Sequence, residues 1–220
     1  MNNLNQKIIK FDHDKNFGFD DFFISKSNKH IIDLFNRWPK WEKRFLNISG
    51  EKFSGKTHLI NIFIKKFNGI KFEASLFNNE NVEKIKIFET IILENLTENI
   101  SEELIYTLFN IVDQQNKYLI IPSTVPVVNI NFKLIDLRSR FKDFILQSIE
   151  KPDDELLFAL VLKNLSDRQI SLEKKLINYI IKRIDRSYGK IFEFIYKIDE
   201  MSLKKKKSID LKIIREALGE

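Results

Sequence analysis

The stretch that decides the fold is GEKFSGKT at residues 50–57, which fits the pattern G-x-x-x-x-G-K-[S/T] at every fixed position. Glycines let such a loop curl until its N–H groups point inward at phosphate oxygens, and the following helix adds its positive end. Lys56 would then reach the β- and γ-phosphates, and the Thr57 hydroxyl would bind Mg²⁺. The alternative is an accidental glycine turn. The candidate nucleotide-binding residues are Gly50, Glu51, Lys52, Phe53, Ser54, Gly55, Lys56, Thr57 and His58.

Composition limits the other classes of function. The 220 residues are 43% hydrophobic and 31% charged, as in soluble globular proteins, and they include no cysteine. Disulfides and cysteine-based zinc sites are excluded, which favours a reducing, cytoplasmic setting. No signal peptide and no run long enough for a membrane span is evident. The formal charge of +6 includes one dense basic run, residues 203–208, without interleaved aromatic residues. We therefore interpret that run as a solvated loop and rank direct DNA binding lowest.

Strands alternate with helices up to about residue 150, and the chain is helical after Pro152. This order predicts an α/β domain with a mostly parallel sheet flanked by helices, followed by a small all-helical subdomain. We divide the chain into a tail (1–15), the α/β subdomain (16–150) and the helical subdomain (151–220). The expected strands are 44–49, 69–75, a segment within 84–96 that is strongest at 90–93, 117–124 ended by Pro122, and 143–149; the expected helices include 55–67 and 101–116, with a helix or turn at 134–141.

An acidic residue follows the third predicted strand. In P-loop ATPases an acid at this place holds Mg²⁺, and a second acid commonly polarises the attacking water. Glu94 can serve the metal, whereas Asn95 cannot act as a base. The sequence therefore predicts metal binding with a weakened hydrolytic half. The alternative is an ordinary strand-end turn.

Several segments in this order resemble the DnaA/Hda family of AAA+ proteins. FDDFFISKSN and GEKFSGKTHLI resemble the start of the family's nucleotide-binding domain, LRSRF its arginine-finger segment, and RIDRSYGKIFEFIYKID its lid helix. The resemblance spans residues 16–220. It implies a P-loop AAA+ domain that is followed by a helical lid. It also implies that this domain binds ADP or ATP together with Mg²⁺. It also implies that Phe22, Phe23 and Ile24 cover the adenine, although these residues could equally be core.

The resemblance assigns Arg140 as an arginine finger that acts in trans on a neighbour's γ-phosphate, with Arg138 as a secondary candidate. The alternative is a surface arginine paired with Asp136 or Asp143. Such fingers stabilise transition-state charge and contribute on the order of 10³–10⁵ in rate.

The family has two sensor positions, whose side chains contact the nucleotide's phosphates. At both positions this sequence differs from the family pattern. The first falls at Thr124 or Ser123, which are uncharged. The second, normally an arginine, falls at Gly189, and Arg186 one turn earlier is the substitute we expect. Together with Asn95, these changes argue against strong intrinsic ATPase activity and suit a protein that holds nucleotide, above all ADP, as a structural cofactor.

The printed sequence has neither the initiator's DNA-binding helix-turn-helix nor its N-terminal domain, so we expect a short Hda-like member. The resemblance then implies a negative regulator that binds the DNA polymerase III sliding clamp (the β subunit) and stimulates hydrolysis of DnaA-bound ATP. In the tail, Gln6, Ile9 and Phe11 fit the spacing of a clamp-binding peptide. The alternative is that this apolar segment packs back onto the domain.

Two other functions stay open. One is an adaptor that recruits a replication protein without triggering hydrolysis, and the other is an autonomous ATPase such as a helicase loader. A homo-oligomer is also compatible with the sequence.

Overall fold

A computed structural model describes residues 22–220. Its α/β subdomain contains one five-stranded sheet in the order β2-β3-β4-β1-β5, with every neighbouring pair parallel. The predicted fold class is confirmed. The strands are β1 Phe45–Ser49, β2 Gly69–Glu73, β3 Thr90–Glu94, β4 Tyr118–Ser123 and β5 Ile145–Ser148.

Helices cover both faces of this sheet and then form the second subdomain. α2 ends at Phe63, before the predicted end at residue 67. The short α3 was not predicted, because all but one of its residues are polar and none is buried; an Asn78–Asn81 capping box starts it. The helices are α1 Lys29–Asn36, α2 Lys56–Phe63, α3 Asn79–Lys84, α4 Glu102–Gln114, α5 Ile135–Phe141, α6 Asp154–Asp167, α7 Lys174–Ile181, α8 Tyr188–Lys205 and α9 Leu211–Leu218.

The prediction that Pro122 ends its strand is wrong, because β4 continues to Ser123. The N–H of Tyr118 faces the β3 side and donates to the Glu89 carbonyl. With the two-residue period of a strand, the nitrogen of Pro122 faces the same side. Pairing with β3 has already ended at Ile92–Ile120, so no ladder hydrogen bond is lost there.

Three apolar clusters hold the chain together. The first lies between the sheet, α4 and α5, and includes Phe109 and Phe141. The second lies between the opposite face, α1 and α2, and includes Phe35 and Leu59. The third joins α6 to α9 around Ile195, which is fully buried. The helical subdomain therefore has a core of its own, as the change of pattern after Pro152 predicts.

Within residues 22–220, no helix has the length and apolar character needed to cross a membrane.

Candidate functional site

The loop at residues 50–57 joins the end of β1 to the start of α2 at the carboxyl edge of the sheet. The N–H of Gly50 donates to the Ser123 carbonyl at 3.1 Å, which fixes the loop to the end of β4. A Cβ on Gly50 would lie 2.8 Å from Ser54 Oγ and 3.1 Å from Ile149 Cβ, so a side chain there would displace its neighbours. Gly55 caps α2 at φ 92°, in the region where side chains are strained. Both fixed glycines of the motif are thus explained by geometry.

Lys56 folds back onto this loop. Its Nζ donates to the carbonyls of Gly50 at 2.7 Å and Glu51 at 2.8 Å, with Ser54 Oγ at 3.3 Å. Burial lowers the pKa of the Lys56 ammonium, and the Glu51 carboxylate partly opposes that shift. Thr57 is exposed in the first turn of α2. The ammonium and the hydroxyl therefore sit at the same end of the helix, as the motif predicts.

Glu51 links the loop to the helical subdomain formed by α6 to α9, which is called the lid from here on. Its carboxylate accepts hydrogen bonds from the Ser187 hydroxyl and from the backbone N–H groups of Tyr188 (3.2 Å) and Gly189 (3.1 Å). Burial alone would raise the pKa of Glu51, but these hydrogen bonds and the charge of Lys151 together lower it. The carboxylate thus occupies the positive end of α8.

A second contact joins the same two parts. Phe53 has φ 68°, which is rare for a residue with a side chain. Its ring stacks on Phe192 of α8, with centroids 4.7 Å apart and planes 8° apart. Sequence reasoning missed both contacts between loop and lid. Lys52 is exposed.

The residues expected at the second sensor do not supply an arginine to the loop. Gly189 lies against Glu51, where an added Cβ would be 3.2 Å from Glu51 Oε1. Arg186 pairs with Asp154 at 2.5 Å on the surface of the lid. Lys190 pairs with Glu193 further along α8.

At the end of β3, Glu94 and Asn95 are both engaged with β2. Glu94 Oε2 lies 3.3 Å from Lys71 Nζ, and Asn95 donates to Glu73 Oε2 at 2.9 Å. Asn95 has φ 56°, a conformation that asparagine tolerates better than most residues. No group of three or more His, Cys, Asp or Glu within residues 22–220 could hold a metal. Thr57 and Glu94 stay the protein ligands that we predict for Mg²⁺.

The first-sensor region is organised by a residue that the sequence did not single out. Asn47 is fully buried in β1 and donates to the Ile121 carbonyl at 2.7 Å and to Ser123 Oγ at 2.8 Å. Its own oxygen accepts from Val127 N–H at 3.1 Å. Thr124 follows as an exposed residue. A lone asparagine within an apolar strand was the available signal.

Arg140 lies on α5 with its side chain turned onto α4. It is ion-paired with Asp113, donates to Asn110 Oδ1 at 2.8 Å, and covers the Tyr106 ring at 5.4 Å. The alternative pairing with Asp136 or Asp143 is therefore not what the structure contains. The Arg140 side chain is 29% exposed.

The segment expected over the adenine begins next to the loop. Phe22 contacts the His58 ring edge-on at 5.4 Å and lies close to Gly55. Phe23 and Ile24 are 47% and 40% exposed, which does not fit a core role for these two. The predicted clamp-binding residues Gln6, Ile9 and Phe11 lie outside the described residues.

Comparison with known proteins identifies proteins that are similar to this chain in sequence. A family profile described as the Hda lid domain matches residues 153–218, which contain α6 to α9. The chromosomal replication initiator DnaA of Thermoanaerobacter sp. (strain X514) is 27% identical over 231 aligned residues, 93% of this chain and 52% of the initiator. The chain therefore spans about half the length of the curated relatives it matches.

Solved structures share the fold. Domain III of Thermotoga maritima DnaA superposes with a TM-score of 0.71 at 18% identity, covering 92% of this chain and 95% of that domain. AMPPCP-bound DnaA from Aquifex aeolicus gives 0.64 at 18% identity, over 85% of this chain and 68% of that one. The sheet order, the loop of residues 50–57 and the helical lid are similar to those of AAA+ proteins, and the chain is similar to Hda in its lid and to DnaA in its aligned sequence.

Proposed function

We propose that this protein holds ADP at the loop of residues 50–57 and acts as a regulatory partner of the DnaA initiator. The observation that carries the proposal is a complete phosphate loop beside a strand end that lacks a catalytic base. Lys56 and backbone N–H groups of the loop would hold the phosphates. The AMPPCP bound to the Aquifex aeolicus relative supports an adenine nucleotide as the ligand. Thr57 and Glu94 would hold Mg²⁺, which would neutralise phosphate charge.

Weak intrinsic turnover follows from two local features. Asn95 carries no proton-accepting carboxylate, and its amide is already bound to Glu73. Gly189 has no side chain and so brings no cation to the loop. The start of α8 is occupied instead by the Glu51 carboxylate. The nucleotide would therefore be retained and would stabilise the arrangement of loop and lid, rather than being consumed.

The regulatory step assigns Arg140 to the ATP of a neighbouring initiator. A guanidinium presents a planar fork that binds phosphate oxygens bidentately. In this structure the Asp113 carboxylate and the Asn110 amide occupy that fork. Because Asp113 is 44% exposed, the γ-phosphate of a partner could replace it as the anion. Arg140 would then stabilise the transition-state charge in the partner's site.

The tail would bring the protein to DNA-loaded sliding clamp. Gln6 would bond at the polar entrance of an apolar groove, and Ile9 and Phe11 would fill it, as short extended peptides do. In this proposal the protein is a cytoplasmic negative regulator of initiation. DnaA is its target, and the clamp is its coactivator.

The test measures hydrolysis of ATP preloaded on DnaA, with this protein and DNA-loaded clamp added together. We expect acceleration that needs the clamp and that falls by on the order of 10³ for Arg140→Ala. Arg183→Ala, which removes a lid arginine paired with Glu220, is the matched control. Acceleration that survives Arg140→Ala would contradict the proposed finger.

A second candidate is an adaptor that recruits a replication protein without triggering hydrolysis. The observation that favours it is the engagement of Arg140 with α4. No acceleration by the wild-type protein, combined with nucleotide and clamp binding, would select the adaptor. Robust turnover by the isolated protein would select the helicase-loader-like ATPase.

A further inference from the structure

We infer that Lys71 is a built-in counter-ion of Glu94 that competes with Mg²⁺ and makes nucleotide binding nearly independent of the metal. The inference rests on the proposed nucleotide site. It concerns a positioning residue, because Lys71 acts through Glu94.

The register of the sheet brings the two side chains together. β2 and β3 pair in parallel with Lys71 opposite Ile92 and Glu73 opposite Glu94. Residues two apart on a strand share a face, so all four lie on one face of the sheet. Ile92 packs in the cluster that contains α2, which places this face under the helix that follows the phosphate loop.

The Lys71 ammonium bridges the strand end and that helix. Its Nζ is 3.3 Å from Glu94 Oε2 and donates to Asn61 Oδ1 at 3.3 Å. Asn61 is four residues after Thr57, so it lies one turn along the same side of α2. The lysine charge therefore sits between Glu94 and the side of α2 that carries Thr57, the other predicted metal ligand.

Burial makes this pair more consequential than an ordinary surface pair. The Glu94 side chain is only 15% exposed, and that of Lys71 is 35% exposed. Removing one partner of a partly desolvated pair leaves the other charge uncompensated. In the wild-type chain Lys71 supplies that compensation, and a divalent cation gains less from Glu94 than from an unpaired carboxylate.

The neighbouring polar groups reinforce the arrangement. Asn95 donates to Glu73 at 2.9 Å, so the second acid at this edge is also engaged. Together the two contacts satisfy both polar residues that end β3 without any ion. A protein that keeps its nucleotide would then need the metal less than a protein that cleaves it.

The test is calorimetric titration of ADP with Mg²⁺ and with EDTA, on the full chain. For the wild type we expect affinities within about threefold of each other in the two conditions. Lys71→Met keeps the aliphatic stem and removes the charge, and it should raise the Mg²⁺ dependence about tenfold, since the freed carboxylate interacts with the divalent ion at short range. Lys71→Arg keeps the charge and should behave as wild type.

Two controls separate this effect from general ones. Lys86→Met removes a lysine from an exposed pair with Glu83 on the same subdomain and should leave the Mg²⁺ dependence unchanged. The double variant Lys71→Met/Glu94→Gln should lose the gain, because the carboxylate that would bind the ion is absent.

The outcomes distinguish the two proposals. ADP binding with the same Mg²⁺ dependence in wild type and Lys71→Met would overturn the role of Lys71 alone. The absence of ADP binding in the wild type would overturn the proposed function, and this inference with it. If Lys71→Met does not fold, Lys71→Gln, which keeps a donor for Asn61, is titrated in its place with the same expectation.

Discussion

Replacing Glu51 by alanine removes the carboxylate that joins the phosphate-type loop to helix α8. Three donors lose their acceptor: the Ser187 hydroxyl and the backbone N–H groups of Tyr188 and Gly189. Ser187 also caps α8 through the Lys190 N–H at 3.2 Å, so the helix keeps one cap of its own. The perturbation is therefore a loosening of the lid at its attachment and not the loss of a helix.

The size of the effect follows from the kind of contact removed. Loss of an N-cap side chain costs about 1 kcal/mol. Hydrogen bonds to charged groups are stronger than neutral ones, but Glu51 is exposed and water replaces part of what is lost. We expect about 1–2 kcal/mol in the free energy of lid opening. That corresponds to roughly 5–30-fold faster hydrogen exchange wherever lid opening limits the exchange rate.

The assay is native-state hydrogen exchange of the Tyr188 and Gly189 amides, compared between wild type and Glu51→Ala. Glu193→Ala is the matched control, because that glutamate lies on the same helix in an exposed pair with Lys190. It should change exchange at those amides by less than about twofold, as exposed pairs contribute little. Unchanged protection in Glu51→Ala would refute the view that this carboxylate holds the lid.

The same contact should depend on pH. The pKa of Glu51 is lower in the folded chain than the ordinary value of 4.5. A carboxyl group with a depressed pKa contributes stability above its unfolded pKa and loses it as the pH falls through the folded value. The difference in stability between wild type and Glu51→Gln should therefore be constant above about pH 5.5 and shrink as the pH falls below 4.5. A difference that grows towards low pH would contradict the assigned hydrogen bonds.

Three further predictions concern the loop and its supports. Asn47→Ala should destabilise the protein by about 2–4 kcal/mol in chemical unfolding, because it leaves buried partners, including the Val127 N–H, unsatisfied; a loss below 1 kcal/mol would contradict this role. Phe192→Ala should lower the stability of the lid by about 0.5–1.5 kcal/mol, because it removes the ring stack with Phe53. Hydrogen exchange of the α8 amides measures this loss, and unchanged exchange would mean that the two rings do not stack in solution. Lys56→Met should weaken ADP binding tenfold or more, because it removes charge-assisted contacts to the phosphates, and the circular dichroism spectrum should stay unchanged. Unchanged ADP affinity would mean that the nucleotide binds elsewhere.

The sheet was predictable because its strands are apolar runs with clear ends. The run at 44–49 becomes β1 and that at 117–124 becomes β4, and the strongest part of the third segment becomes β3. In contrast, α3 has no buried residue, so no apolar period marks it. The continuation of β4 through Pro122 depends on where β3 stops pairing, which no local pattern contains.

The candidate site was predictable only where a motif fixes it. The loop lies where its glycines and Lys56 indicate. The contact between Glu51 and Gly189 joins residues 138 positions apart, and such pairs have no local signature. The pairing of Lys71 with Glu94 depends on the register between two strands. Sequence patterns thus predict the residue types of the candidate site but not the side-chain and backbone partners that these residues have in the structure.

These partners share one physical character. Four groups of the candidate site are satisfied by the chain itself: Lys56 by loop carbonyls, Glu94 by Lys71, Asn95 by Glu73, and the start of α8 by Glu51. A bound nucleotide must compete with these contacts, so part of its binding energy is offset by breaking them. Phosphates can displace the carbonyls from Lys56, since a charge-assisted contact exceeds a neutral one. Phosphate binding does not, however, supply the catalytic base that is missing at Asn95. These contacts support our proposal that the site retains a nucleotide, and that cleavage depends on groups that a second protein presents.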